Sequence, residues 1–209
     1  MAKPLFIAEH ACYARGIIGR VISKVMAYDT AQENRRAIQL LEVEGARRVM
    51  DFGCGHGRWL AALHRIAPTA KITGVDYSAT MLREASARNK RLIRSGHVQV
   101  QQSRGPSLPF DNGHFDKILS MHTVYFLHPL EDYLEEFFRI TAPGGDFVLG
   151  FRPGEDTNLL KSLPHEVYRM RSSEEIKAQA VAAGFTVKET IQAAPPSKSM
   201  TWLKLTKIS

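Results

Sequence analysis

At 209 residues, with 44% hydrophobic and 23% charged side chains, the chain is long enough for one globular domain with a sizeable core. Its formal charge of +7 admits an anionic ligand, a nucleic acid or a membrane surface. Two cysteines and eight scattered histidines argue against a disulfide framework and a metal centre, and no apolar run approaches the roughly 20 residues that cross a bilayer.

In the leader MAKPLFIAEHACYARG a brief apolar patch is broken by Glu9 and His10, too short and too charged for a signal peptide, so a cytoplasmic location is expected. Residues 16–44 read as one or two amphipathic helices. Ile17, Ile18, Val21, Ile22, Val25 and Met26 recur at helical spacing, as do Ile38, Leu40 and Leu41 after a cap at Asp29 or Thr30. RRVMDF is a short buried strand, followed by a glycine turn and a helix from Arg58 to Ile66 that Pro68 stops. KITGVD is a second strand, and Ser78 caps a helix running to Ile93. On that helix sits the densest basic cluster, Arg83, Arg88, Lys90, Arg91 and Arg94, opposed by Glu84 alone; the other basic residues are dispersed, as on a solvated face.

HVQVQQ alternates as a third strand, and the loop SRGPSLPFDNGH leads into a fourth, FDKILSMH. Pro129 suits a first helical turn, and Leu130, Tyr133, Leu134, Phe137 and Phe138 form an apolar stripe. APGG ends that helix before the fifth strand, DFVLGF. A capping box at Ser172 and Glu175 opens a helix that Gly184 closes. FTVKETIQ and MTWLKLTKI, joined across Pro195-Pro196, read as a terminal hairpin.

Alternating strands and helices predict a Rossmann-like, doubly wound α/β fold with a mostly parallel, seven-stranded sheet and one antiparallel strand. One domain over 1–209 is expected, with an N-terminal helical lid over 1–44 and a core over 45–209. Ligands of such sheets bind beyond the carboxyl ends of the strands, where the stretch DFGCGHG lies. Its G-x-G-x-G spacing is one residue short of the dinucleotide fingerprint, and Asp51 precedes it. A carboxylate pointing into the turn repels a pyrophosphate and favours a cationic ligand.

VMDFGCGHG resembles motif I of the class I S-adenosylmethionine (SAM) dependent methyltransferases. GVDYS, LPFDNGHFDKILSMHTVYF and ITAPGGDFVLGF follow in that family's order, and the LPF and PGG segments look most like its ubiquinone/menaquinone C-methyltransferase branch. The resemblance covers roughly residues 45 to 152. It implies SAM as cofactor and S-adenosylhomocysteine as product. Gly53, Cys54, Gly55 and Gly57 would bring backbone to the ligand, with the following helix N-terminus favouring its carboxylate. Asp51 would meet the ammonium and Asp76 the ribose hydroxyls, with Tyr77 and Met81 flanking the adenine and Ser120 beside the methionyl end. Relatives commonly place an acidic residue near positions 103–105 to accept from the adenine amino group. Here stand Ser103, Arg104 and Gly105, and arginine cannot accept, so Ser103 or backbone is expected to serve.

Past the fourth strand, SMHTVYFLHP offers His122 as a catalytic candidate and Tyr125 as a second; both are also expected at the acceptor. Tyr13 and Tyr28 of the lid, with Arg15, Arg20 and Asn34, would cover the acceptor cavity, and Arg152 could pair with an anionic acceptor. The amino-group motif [DNS]-P-P-[YF] and a Pro-Cys nucleophile are both missing, which argues against nucleic-acid base methylation, and no nucleic-acid partner is expected. The leading expectation is a methyltransferase for a small molecule, monomeric or homodimeric. The basic, apolar N-terminal helix leaves room for peripheral membrane association and a lipid or quinone acceptor. An RNA methyltransferase, an NAD-dependent oxidoreductase and a non-catalytic SAM-binding protein remain as alternatives.

Overall fold

The computed structural model describes residues 4–14, 16–156, 160–161, 163–193 and 199–208, and omits the side chains of Ala11, Cys12, Ile17, Arg20, Ser23, Lys24, Met26 and Ala27. Seven strands form one sheet in the order β3-β2-β1-β4-β5-β7-β6. They are β1 (Arg48–Phe52), β2 (Lys71–Asp76), β3 (Val98–Gln102), β4 (Phe115–Met121), β5 (Thr141–Phe151), β6 (Thr186–Ala193) and β7 (Met200–Thr206). Only β7 runs antiparallel to its neighbours, β5 and β6. The expected doubly wound sheet with one antiparallel strand is therefore present, and strand order reverses between β1 and β4, where the chain crosses from one half to the other.

The helices are α1 (Leu5–Cys12), α2 (Gly16–Asp29), α3 (Ala31–Leu41), α4 (Arg58–Ile66), α5 (Ala79–Arg88), α6 (Lys90–Arg94), α7 (Leu130–Ile140) and α8 (Ser173–Ala182). On one face of the sheet Leu134, Phe137, Ile176 and Ala180 of α7 and α8 bury Phe115, Ile118 and Leu149. On the other, Ile38, Leu41, Leu60, Leu63 and Leu82 of α3, α4 and α5 bury Val49, Ile72, Leu119 and Trp202. Every position of β7 is buried because both of its faces are covered. Its Lys204 is carried by Glu42 at 2.6 Å.

Five local readings change. The leader forms α1, for which the periodicity gave no signal. α3, expected in the lid, packs on the sheet, because Ala37, Ile38, Leu40 and Leu41 present an apolar face to it; only α1 and α2 stand over the strand ends. The helix from Ser78 breaks at Asn89, whose buried amide donates to the carbonyls of Ala85 and Gly57 instead of extending the helix. APGG is no free turn but a bulge inside β5: pairing jumps from Phe115↔Thr141 to Lys117↔Asp146, and Gly144 takes a φ of 74°. Pro129 is the N-cap of α7, in extended backbone, rather than a first-turn residue. Ser78 and Ser172 cap α5 and α8 as expected. Arg15 and the Pro195-Pro196 turn lie outside the described residues.

Candidate active site

The glycine turn leaves β1 at the carboxyl edge of the sheet, and its three glycines have different neighbours. A Cβ on Gly53 would lie 2.3 Å from Thr123 Cγ2, and one on Gly57 would lie 2.7 Å from Ala85 Cβ. These two glycines let protein approach protein. Gly55, with φ 54°, has open space where a Cβ would stand, so nothing in the protein fills that side of the turn.

Asp76 ties this turn to the next one. Its Oδ2 accepts from the Gly55 amide and its Oδ1 from the Ser78 amide, both at 2.8 Å. Burial pushes its carboxyl up, and the two amide bonds pull it back. Asp51, at the end of β1, is buried, and no hydrogen bond from a described residue reaches its carboxylate. Burial first, and then the charge of Asp76, raise its pKa from 3.8 to about 7. An unpartnered, buried carboxylate beside an open glycine is a place for a cationic group. This is the feature of the turn that fits SAM, whose methionyl end carries an ammonium. Cys54 is buried beside it, its thiol pushed up by burial, so it has little thiolate to react.

On the β2–β3 side, Tyr77 is half exposed and stands edge-on to Tyr13 of the lid, ring centroids 4.8 Å apart. Ser78 Oγ donates to the Ala14 carbonyl at 2.6 Å, pinning the lid to this corner. Met81 is buried. Ser103 spends its hydroxyl on the Gly105 carbonyl, while its amide donates to Asp76 O; Arg104 points to solvent. Gln102 donates to the Tyr77 carbonyl, a brace the sequence reading missed.

Across the strand-order reversal lies a second cluster. His122 follows β4 in left-handed backbone, φ 57°, unusual for a side-chain-bearing residue. Its Nε2 lies 2.6 Å from Oε2 of Glu33 on α3, and Arg152, just past β5, reaches Glu33 Oε1 at 3.1 Å. Trp202 of β7 donates to the Glu33 carbonyl. Asp29 is 3.9 Å from Arg152. The Glu33 carboxylate accepts from Nε2 of His122, so in the neutral ring the lone pair is on Nδ1. Nδ1 faces Tyr125 OH at 3.4 Å, too long for a good hydrogen bond.

The sequence candidates therefore separate. His122 keeps a 17% exposed side chain and can be touched from the cleft. Tyr125 is buried, its hydroxyl accepts from the Arg152 amide, and burial drives its phenol further from ionising, so it braces rather than transfers protons. Ser120 is fully buried, bonded to the Phe52 carbonyl and to Thr123. Tyr28 is 83% exposed, and Asn34 is turned back onto Thr30 O. Glu33, Thr123 and Asn89 escaped the sequence reading: their partners are distant in sequence and no local motif marks them.

A methyltransferase-domain family profile matches residues 49–145, the stretch from β1 through the PGG bulge. The chain is 28% identical over 180 residues to a demethylmenaquinone methyltransferase of Thermus thermophilus, covering 74% of this chain and 81% of that one. It is 32% identical to a ubiquinone/menaquinone biosynthesis C-methyltransferase of Desulfotalea psychrophila over 63% of this chain and 53% of the other. The chain carries a SAM-dependent methyltransferase domain. This methyltransferase spans about half or less of several further curated relatives. Its fold matches, at TM-score 0.79 and 21% identity over the whole of both chains, a Haloferax volcanii putative methyltransferase solved in complex with the activator Trm112. The methyltransferase has no helix, among its described residues, long and apolar enough to cross a membrane.

Proposed function

We propose that this methyltransferase transfers the methyl group to a small, largely apolar acceptor held over the carboxyl ends of β4 and β5, with the Glu33–His122 pair receiving the acceptor's proton. SAM supplies the electrophilic methyl and a leaving group that needs no acid. The chain's own residues then have two tasks. Asp51 and Asp76 hold the donor by its ammonium and ribose beside the turn that Asp76 braces at Gly55, with Tyr77, Met81 and Ser103 around the adenine. Alignment of this kind supplies about 7–11 kcal/mol in well-oriented reactions. His122 Nδ1 takes a proton from an acidic carbon or hydroxyl as the new bond forms, worth about 10²–10⁴-fold.

The observation that carries this reading is the Glu33–His122–Arg152 constellation, facing the glycine turn across the strand-order reversal. Glu33 offsets the Arg152 charge, so the acceptor end offers no net cation to an anionic acceptor. That balance, and quinone and sterol C-methyltransferases among the relatives, support a lipophilic acceptor such as a quinol. The test is S-adenosylhomocysteine release against a panel of quinols, sterols, phenols and carboxylates. Turnover with an apolar quinol or sterol, lost in His122→Ala with SAM affinity intact, is expected. Preference for carboxylates would replace this reading.

A further inference from the structure

We infer that the outer face of α2 is a docking surface for an anionic lipid membrane. Ile18, Val21, Val25 and Tyr28 follow one another at helical spacing and are 59%, 57%, 65% and 83% exposed. A helix that only closes a domain needs one apolar stripe, facing inward. α2 already has that side: Gly19 is buried so closely on Ala14 that a Cβ would lie 2.9 Å from its backbone, and Ile22 is half buried. The outer stripe is therefore surplus apolar surface, and contiguous patches of this kind mark an interaction.

Charge selects the occupant. From His10 to Tyr28 the chain carries Arg15, Arg20 and Lys24 and not one Asp or Glu. An aliphatic stripe ending in tyrosine, on a helix whose one acidic residue, Asp29, lies 3.9 Å from Arg152, suits the headgroup region of an anionic bilayer. Position gives the contact a purpose. α2 starts beside the Tyr13–Tyr77 corner and ends at Asp29, next to Arg152, so it spans the cleft from its donor end to its acceptor end. Lying on a membrane, it would set the acceptor entrance at the lipid surface. The inference bears on where the proposed acceptor comes from, yet its test requires no turnover.

The experiment is co-sedimentation of the whole chain with phosphatidylglycerol/phosphatidylcholine vesicles and with pure phosphatidylcholine vesicles, at low salt and at about 0.5 M salt, where surface charges are screened. Pelleting with the anionic vesicles, weakened by salt, is expected. The Val21→Glu/Val25→Glu variant should bind them at least about tenfold more weakly while SAM affinity by calorimetry is unchanged. The Val21→Ser/Val25→Ser variant separates lost apolar contact from added negative charge and should show a smaller loss. Equal pelleting of wild type and both variants, or none with anionic vesicles, overturns the inference. So does a wild-type dimer, seen by light scattering, that the variants dissociate without any effect on vesicle binding, since the stripe would then join two copies.

Discussion

The donor end of the cleft is tied together by short loops of chain: Gly55 reaches Asp76 across 21 positions and Gly57 reaches Asn89 across 32. The acceptor end is tied across 89 positions from Glu33 to His122, 119 to Arg152 and 169 to Trp202. One end is a β-turn-α motif completed by its neighbouring strand. The other exists only once α3, β4, β5 and β7 have met on the sheet. The difference suits a methyltransferase: the donor is common to the family, so its cradle can be a portable motif, whereas acceptor chemistry depends on contacts that each fold arrangement can vary.

Mutations should break the two ends separately. The largest effect is expected at the acceptor end: His122→Ala should lower turnover by about 10²–10⁴-fold, with SAM affinity by calorimetry close to wild type. Glu33→Gln should act in the same direction but less, keeping the hydrogen bond and losing the charge that sets the His122 tautomer. Full turnover in either variant would remove the pair from the reaction.

At the donor end the Asp51 carboxyl should cost stability to gain affinity. Its folded pKa of about 7 stands above the unfolded value near 3.8. The folded state therefore holds an extra proton between those values, and this group's contribution, full below 3.8, is lost as pH rises to about 7. The shift corresponds to a cost on the order of 4 kcal/mol above pH 7. Asp51→Asn should therefore melt higher than wild type at pH 8, with the gap closing toward pH 4, while SAM binds more weakly. In the wild type, SAM affinity should rise with pH up to about 7, as the carboxylate becomes available to the ammonium. A flat affinity profile would place the ammonium elsewhere.

The glycines sharpen the contrast within the turn itself. Gly57→Ala must push against Ala85 and keep a φ of 70°, a loss of about 3 kcal/mol in urea unfolding. Asp76→Ala should weaken SAM binding at least about tenfold, equivalent to about 1.4 kcal/mol, in a folded protein. Gly55→Ala has open space for its methyl and only the backbone strain to bear, about 1 kcal/mol; its larger effect should be on SAM binding, since the methyl fills the ligand's side of the turn.

How much of this was legible in the sequence follows the same division. Six of the seven strands could be read within one or two residues, because buried runs bounded by Gly, Pro and caps are local signals; β5 starts five residues earlier than DFVLGF, because the APGG bulge pairs with β4. The doubly wound sheet and its antiparallel β7 followed from their order. Asp51, Gly55 and Asp76 stood out as candidates because they sit at the spacing a β-turn-α unit requires. The assignments that shifted lie where a local preference met a tertiary one. The helix through Ile93 looked continuous, but the Asn89 side chain found the Gly57 carbonyl. The segment after Asp29 looked like lid, but its apolar stripe found the sheet.

By itself the sequence determined the fold class, the glycine turn with its acidic forerunner, and hence the donor, since hydrophobic period, turn chemistry and short-range spacing are all written along the chain. Only the tertiary structure decided that a Cβ on Gly55, alone of the three glycines, would stand in open space, that Asp51 is buried with no hydrogen bond from the described residues, and that Glu33 holds His122 and Arg152 together. Those properties depend on what packs beside a residue after chain segments far apart in sequence have come together, and no local pattern encodes that neighbour.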